Sequence, residues 1–180
     1  MKRTERPIID LAQSINVTDE RLFGEIPLES LNNCDCVGYL QDRHPVLQPL
    51  TASVVEKSCN GAGYEMKPHM DDGVIIRHGD RKPTNMYAKK WITISNKQTI
   101  YWKTPPPKYT AICYRDSHGK DFTGGELYFC HDNLVVKPRR NTYVLFDLMD
   151  IHGVHRMKSG QRRCIVIKFY EHEQGTALNN

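Results

Sequence analysis

The chain predicts a mainly β fold with helices at its N-terminal end. From about residue 51 onward, short runs rich in Val, Ile, Thr, Tyr and Phe recur, among them TASVVEK, GYEMKPHM, GVIIRH, KWITIS, QTIYWK, YTAICYR, GELYFC, NLVVK, NTYVLFDL and CIVIKFY. The breaks between them hold turn and loop chemistry: SNKQ, TPPPK, DSHGKDFTGG, KPRRN and KSGQ. No β–α–β alternation and no Gly-rich phosphate loop interrupts the series. Many short strands at close spacing pack as a β-sandwich or barrel.

Residues 1–50 read differently. Two short apolar patterns, IIDLAQSI and RLFGEIPLESL, with Thr18 and Asp19 as candidate N-caps, predict one or two helices packed against the sheet. The 180 residues suit one domain with a real core. Its expected layout is an N-terminal helical and loop support over 1–50, a β core over 51–171, and an insertion over 72–107.

With 39% apolar and 26% charged residues the composition is that of a soluble globular protein, and neither disorder nor a membrane span is indicated. The start, MKRTERPIID, has no apolar leader-like run, so an intracellular, cytoplasmic protein is expected. A net charge of +4 permits a polyanionic partner without demanding one. Cys34-x-Cys36 is half of a zinc spacing with no second half, and Cys113, Cys130 and Cys164 stand in apolar runs where cysteine is a small buried hydrophobe.

The stretch GYEMKPHMDDGV (63–74) places His69 and Asp71 two residues apart in an extended-looking run. On a strand such a pair shares one face. A histidine and a carboxylate together suit a first-row transition metal, iron above all. A third ligand must then come from a distant strand. FDLMDIHGVHRMKSGQRRCIVIKFY (146–170) offers His152 and His155, a turn at Ser159-Gly160, and a strand opening with Arg162 and Arg163. A hairpin there would bring a histidine near an arginine.

His69-x-Asp71, FTGGELYF, and His152-Gly-Val followed by Gly160-x-Arg162 together resemble the iron(II)/2-oxoglutarate-dependent dioxygenases, with the texture of the prolyl-4-hydroxylase-like branch. The resemblance spans about residues 60–171. It implies a double-stranded β-helix (jelly-roll, cupin-like) core. It implies iron(II), 2-oxoglutarate and dioxygen as the reacting partners, with ascorbate as an optional addition. The implied reaction is oxidative decarboxylation of 2-oxoglutarate to succinate coupled to hydroxylation of a C–H bond. Because Asp71 is a carboxylate and not a small residue, the resemblance favours hydroxylation over halogenation.

The resemblance also implies roles. His69, Asp71 and His152 hold the metal, His152 being the histidine ten residues before Arg162. Arg162 binds the far carboxylate of 2-oxoglutarate, for which a bidentate guanidinium is suited. Tyr114 adds a hydroxyl there, with Thr110 as the fallback. Arg163 faces the other way, toward solvent. Lys168 shares the inward parity of Arg162, where relatives of the prolyl-hydroxylase branch carry tryptophan. An inward lysine is costly unless compensated, so it either reaches a substrate acid or, the reading preferred here, extends to solvent from the strand end.

The insertion is basic and aromatic. KKWITISNKQTIYWK predicts a hairpin, with Trp91, Tyr101 and Trp102 either closing a sheet edge or forming a substrate lid. The expected substrate is a polypeptide side chain such as proline, laid along a strand edge. A free amino acid or other small molecule is the alternative, as is a nucleic acid held by Arg77, Arg81, Lys82, Lys89, Lys90, Lys97 and Lys103. A non-enzymatic binding module is disfavoured by the intact ligand set.

Overall fold

A computed structural model describes residues 8–10, 21–45, 51–58, 63–71, 73–77, 87–95, 98–102, 107–131, 133–147 and 149–169, with side chains described over 22–45, 63–71, 107–131, 133–147 and 149–169. Thr18 and Asp19 lie outside this set.

Two sheets face each other. The larger has the order β2 (Arg21–Glu25), β12 (Thr142–Asp147), β8 (Tyr109–Tyr114), β14 (Ser159–Phe169) and β3 (Thr51–Ser58), with β9 (Phe122–Thr123) pairing the start of β14. The smaller has the order β1 (Ile8–Asp10), β11 (Val135–Lys137), β10 (Leu127–Phe129), β13 (His152–Val154) and β4 (Met66–His69). All pairings within them are antiparallel except β1 with β11. This is the expected jelly-roll-like arrangement. A third sheet, β5 (Gly73–Arg77), β7 (Gln98–Trp102) and β6 (Tyr87–Ser95), is built from the insertion, and its β6–β7 pair is the predicted hairpin.

The central strands β8 and β12 of the larger sheet are buried on both faces, which explains why they read as continuous apolar runs. Alternate residues of β8, β12 and β14 go to opposite cores. Ala111, Cys113, Tyr143, Leu145, Ile165, Ile167 and Phe169 pack outward against α1 (Leu28–Asn32) and α2 (Cys36–Arg43) through Leu31, Cys36 and Leu40. Ile112, Tyr114, Val144, Phe146 and Cys164 pack inward against Leu127, Phe129, Leu134 and Val136 of the smaller sheet and its β10–β11 connection. Cys36 and Leu40 are four apart, one helical turn, and so share the buried face of α2. His44 Nε2 lies 2.9 Å from the Tyr143 hydroxyl, tying the end of that helix to β12.

Three details correct the sequence reading. Two helices form within residues 1–50, but only α1 falls in an expected pattern, at the end of RLFGEIPLESL; α2 lies beyond both patterns, IID and RLFGE are strands, and the rest of IIDLAQSI lies outside the described residues. The apolar side chains of these two strands suit sheet positions, and long-range pairing with β11 and β12 outweighs local helical pattern. The His152 and Arg162 segments do not form a hairpin. β13 belongs to the smaller sheet and β14 to the larger, so residues 155–158 cross between sheets. Gly160 lies inside β14 with φ +79°, and an added Cβ would run into the Asp121 carbonyl oxygen, so this is a site for glycine alone. Finally, Cys113 and Cys164 are buried as expected, whereas Cys130 is exposed just past the end of β10. No described helix is long and apolar enough to cross a membrane.

Candidate metal centre and cosubstrate pocket

β4 and β13 are neighbours in the smaller sheet, and their register sets His69 directly opposite His152. The imidazole centroids are 4.5 Å apart. β4 ends at His69, so Asp71 shares the face of His69 through a turn and not through strand alternation. Met70, between them, is buried in the core and anchors that turn.

Each imidazole is fixed by its own backbone. His69 Nδ1 lies 2.9 Å from the Lys67 carbonyl oxygen, and His152 Nδ1 lies 2.8 Å from that of Asp150. A carbonyl only accepts, so both Nδ1 atoms carry a proton, which leaves Nε2 as the ring atom that can ligate a metal. Asp71 Oδ1 is 3.9 Å from each Nε2. Its other oxygen, Oδ2, accepts a hydrogen bond from the Thr110 hydroxyl of β8. One carboxylate oxygen therefore faces the histidines and the other is occupied. The ligand atoms of His69, Asp71 and His152 all lie within 4.8 Å of one another, a grouping unique among the described residues.

Phe146 packs edge-on to the His152 ring at 4.6 Å. Burial drives the His152 pKa down to about 4, against the opposing pull of Asp71. The imidazole is thus neutral and competent as a ligand at neutral pH. Two histidines ligating through Nε2 and one carboxylate are a donor set suited to iron(II), with coordination positions left for other groups.

Deeper between the sheets, Arg162 is only 3% exposed. Among the described residues no carboxylate pairs with it. Its guanidinium lies 5.3 Å from the centroid of the Tyr114 ring, and Nη1 donates to Cys164 Sγ at 3.5 Å. Arg162 Nε and the Tyr114 hydroxyl are both buried with no hydrogen-bond partner. A buried cation and a buried phenol left this way cost several kcal/mol unless an anion completes them. A dicarboxylate reaching from the metal to this point fits. Burial raises the Tyr114 pKa well above the usual phenol range, so its hydroxyl is a donor at any physiological pH. Tyr64, just ahead of β4, adds a second half-buried phenol within electrostatic reach of Arg162, its pKa raised by burial.

The candidate residues therefore divide. Tyr114 stands beside Arg162, and the hydroxyl of Thr110, the fallback for the cosubstrate carboxylate, is engaged with Asp71. His155 is outside the triad: its ring stacks on Tyr128 at 4.5 Å and lies 3.4 Å from Glu126. Arg163 faces away from Arg162 as expected but is not simply solvated, since it forms a two-pronged ion pair with the buried Asp116 at 2.7–3.2 Å. Cys36 is buried against the sheet and takes no part in a metal cluster among the described residues. Trp91, Tyr101 and Trp102 lie on β6 and β7, with Trp91 opposite Tyr101, and their side chains lie outside the described residues, as do those of the basic residues from Arg77 to Lys103. Tyr64 was missed by sequence reasoning. Its signal was its place at the head of the ligand-bearing strand.

Several solved structures resemble the chain at low identity. A viral collagen prolyl hydroxylase from Paramecium Bursaria Chlorella virus-1, in complex with 2-oxoglutarate, is 13% identical with a TM-score of 0.46, over 86% of this chain and 81% of that one. A Pseudomonas putida prolyl-4-hydroxylase is 13% identical with a TM-score of 0.46, over 89% and 79%. HygX from Streptomyces hygroscopicus with nickel, 2-oxoglutarate and hygromycin B is 14% identical with a TM-score of 0.48, over 86% and 71%. No curated protein matches the chain. The family is decided by sequence: residues 55–171, more than half of the chain, match the family model for the 2OG-Fe(II) oxygenase superfamily. The His-Asp-His grouping agrees with this match, and the chain belongs to the 2OG-Fe(II) oxygenase superfamily as a 2-oxoglutarate-dependent dioxygenase.

Proposed function

We propose that this oxygenase hydroxylates a side chain of a polypeptide, proline being the first candidate. The observation that carries the polypeptide reading is the position of β4. This strand bears His69 at its end and, among the described residues, is the outermost strand of the smaller sheet. Lys67 and Pro68 on it are exposed. An extended segment laid along such an edge would pass beside the metal centre.

His69, Asp71 and His152 would hold iron(II), and Arg162 with Tyr114 and Tyr64 would hold the far carboxylate of 2-oxoglutarate. When bound, these groups supply the oxidising chemistry: dioxygen is consumed, 2-oxoglutarate loses carbon dioxide to give succinate, and one oxygen atom enters a substrate C–H bond. The protein's own part is positioning. The two backbone carbonyls hold the imidazoles in the ligating tautomer. Thr110 fixes the Asp71 carboxylate so that one oxygen is presented. Phe129, Phe146, Ile112 and Val166 line the interior near these groups and keep it dry, which strengthens the Arg162–carboxylate attraction.

The test is succinate release from 2-oxoglutarate with and without proline-rich peptides and single-stranded oligonucleotides. Peptides are expected to stimulate turnover and to gain 16 Da of oxygen by mass spectrometry. Stimulation by oligonucleotides alone would replace the polypeptide reading with a nucleic-acid one.

A further inference from the structure

The pairing of β4 with β13 is irregular beside the metal residues. Between the pairs His69–His152 and Met66–Val154, β13 has one residue, Gly153, and β4 has two, Lys67 and Pro68. An extra residue on one strand is a β-bulge, which bends the strand and re-aims its side chains. Pro68 has no N–H to give to a ladder and suits such a position. The bulge also turns backbone toward the site: the Lys67 carbonyl oxygen within it lies 2.9 Å from His69 Nδ1.

Tyr128 sits over this bulge from the opposite face of the smaller sheet. Its neighbours Leu127 and Phe129 point into the inner core, so Tyr128 points outward. Its register partner across the sheet is Gly153. A Cβ added at Gly153 would collide with the Tyr128 hydroxyl and come within 2.7 Å of the Met66 carbonyl oxygen. The phenol thus crosses β13 through the gap that glycine leaves and ends on β4. There its hydroxyl donates to the Met66 carbonyl oxygen at 3.5 Å, a long hydrogen bond, so the ring's packing over Gly153 is the firmer contact.

The other side of the ring is held as well. His155 stacks on Tyr128 with the planes 18° apart and the centroids at 4.5 Å. His155 Nδ1 is in turn 3.4 Å from Glu126 Oε2, and His118 Nε2 is 2.9 Å from Glu126 Oε1. The histidine left out of the triad therefore belongs to a cluster that backs Tyr128.

We propose that Tyr128 is a positioning residue for the metal centre. From the outer face of the sheet it holds the β4 bulge in the shape that sets the Lys67 carbonyl against His69 Nδ1. His69 Nε2 is thereby kept on the side of Asp71 and His152. The inference rests on the metal reading of the triad.

Two readouts test it in wild type, Tyr128→Phe, Tyr128→Thr and Leu40→Ala. Cobalt(II) affinity is measured by chelator competition, together with the d–d spectrum of the bound ion. The neutral tautomer of His69 is read without metal, from imidazole proton–nitrogen correlations assigned with His69→Gln. Threonine removes the ring and keeps a strand-forming residue, and Tyr128→Leu takes its place if that variant does not fold. Tyr128→Thr should weaken cobalt(II) about tenfold, the low end for loss of an orienting partner, and shift the d–d bands. It should also let the Nε2–H tautomer of His69 appear. Tyr128→Phe keeps the ring and should stay near wild type in every readout. Leu40→Ala, destabilised in the other core, should do the same.

An unchanged His69 tautomer in Tyr128→Thr overturns the proposal, whatever happens to cobalt(II) affinity. Equal losses in Leu40→Ala also overturn it, by tracing the effect to general destabilisation. Wild type that binds no cobalt(II) would refute the metal reading by itself. The tautomer measurement needs no metal and still decides whether Tyr128 sets His69, so the two readings fail separately.

Discussion

Thr110 and His152 show how single side chains condition the metal centre. The Thr110 hydroxyl occupies one oxygen of Asp71, and such an orienting hydrogen bond is commonly worth a factor of about 10–100 in metal affinity. Thr110→Val is expected to weaken metal binding about tenfold in a competition titration, and Thr110→Ser to restore most of it; equal affinity in all three would remove Thr110 from the site. His152 has a consequence for stability. Its pKa is about 4 in the folded chain against an ordinary value near 6.5, so between these values the unfolded chain binds the extra proton and the native one does not. Stability of the metal-free protein should therefore fall as pH drops from about 6.5 to about 4, by on the order of 3 kcal/mol from this group. Denaturant midpoints across that range would show it, and His152→Gln should flatten the slope. The three candidate metal residues that the fold brings together were legible because spacing and residue type single them out. The part played by Thr110 was not, because the turn that aims Asp71 at it is a tertiary feature with no local signature.

At the level of elements, β14 carries the chemistry of the pocket and β13 the distal histidine, and the two lie in different sheets. The sequence shows both apolar runs and the Gly160 between them, and so suggests a hairpin. Only the packing of two sheets reveals that the link is a crossing. The N-terminal strands were illegible for a related reason: a three- or five-residue strand takes its stability from its partner, here β11 or β12, far away in sequence. The inward order of β14 was readable by parity alone, including Arg162 and Lys168. Arg162→Met is expected to raise the 2-oxoglutarate Kd by about 100-fold, since a buried charge-assisted pair is typically worth 2–5 kcal/mol. Its metal affinity should change little. An unchanged 2-oxoglutarate Kd would mean the buried cation serves something else.

Among the described residues, the larger sheet separates two cores. Helices cover one face and the oxygenase site lies on the other, so stability and chemistry are partly separable. Leu40→Ala, on the helix side, should cost about 2–5 kcal/mol in denaturant unfolding and leave metal affinity within twofold. Phe146→Ala should destabilise the fold similarly but also loosen metal binding, because Phe146 packs on His152. Parallel losses of metal affinity in both variants would mean that the two faces are coupled. The central claim is that His69, Asp71 and His152 form the metal centre of a 2-oxoglutarate-dependent dioxygenase. Its most direct test is succinate formed from 2-oxoglutarate after anaerobic loading with iron(II) and exposure to oxygen, in wild type and Asp71→Ala side by side. Wild type should bind one iron and release succinate, with Asp71→Ala at background; equal rates in the two proteins, or wild type that binds no iron, would contradict it.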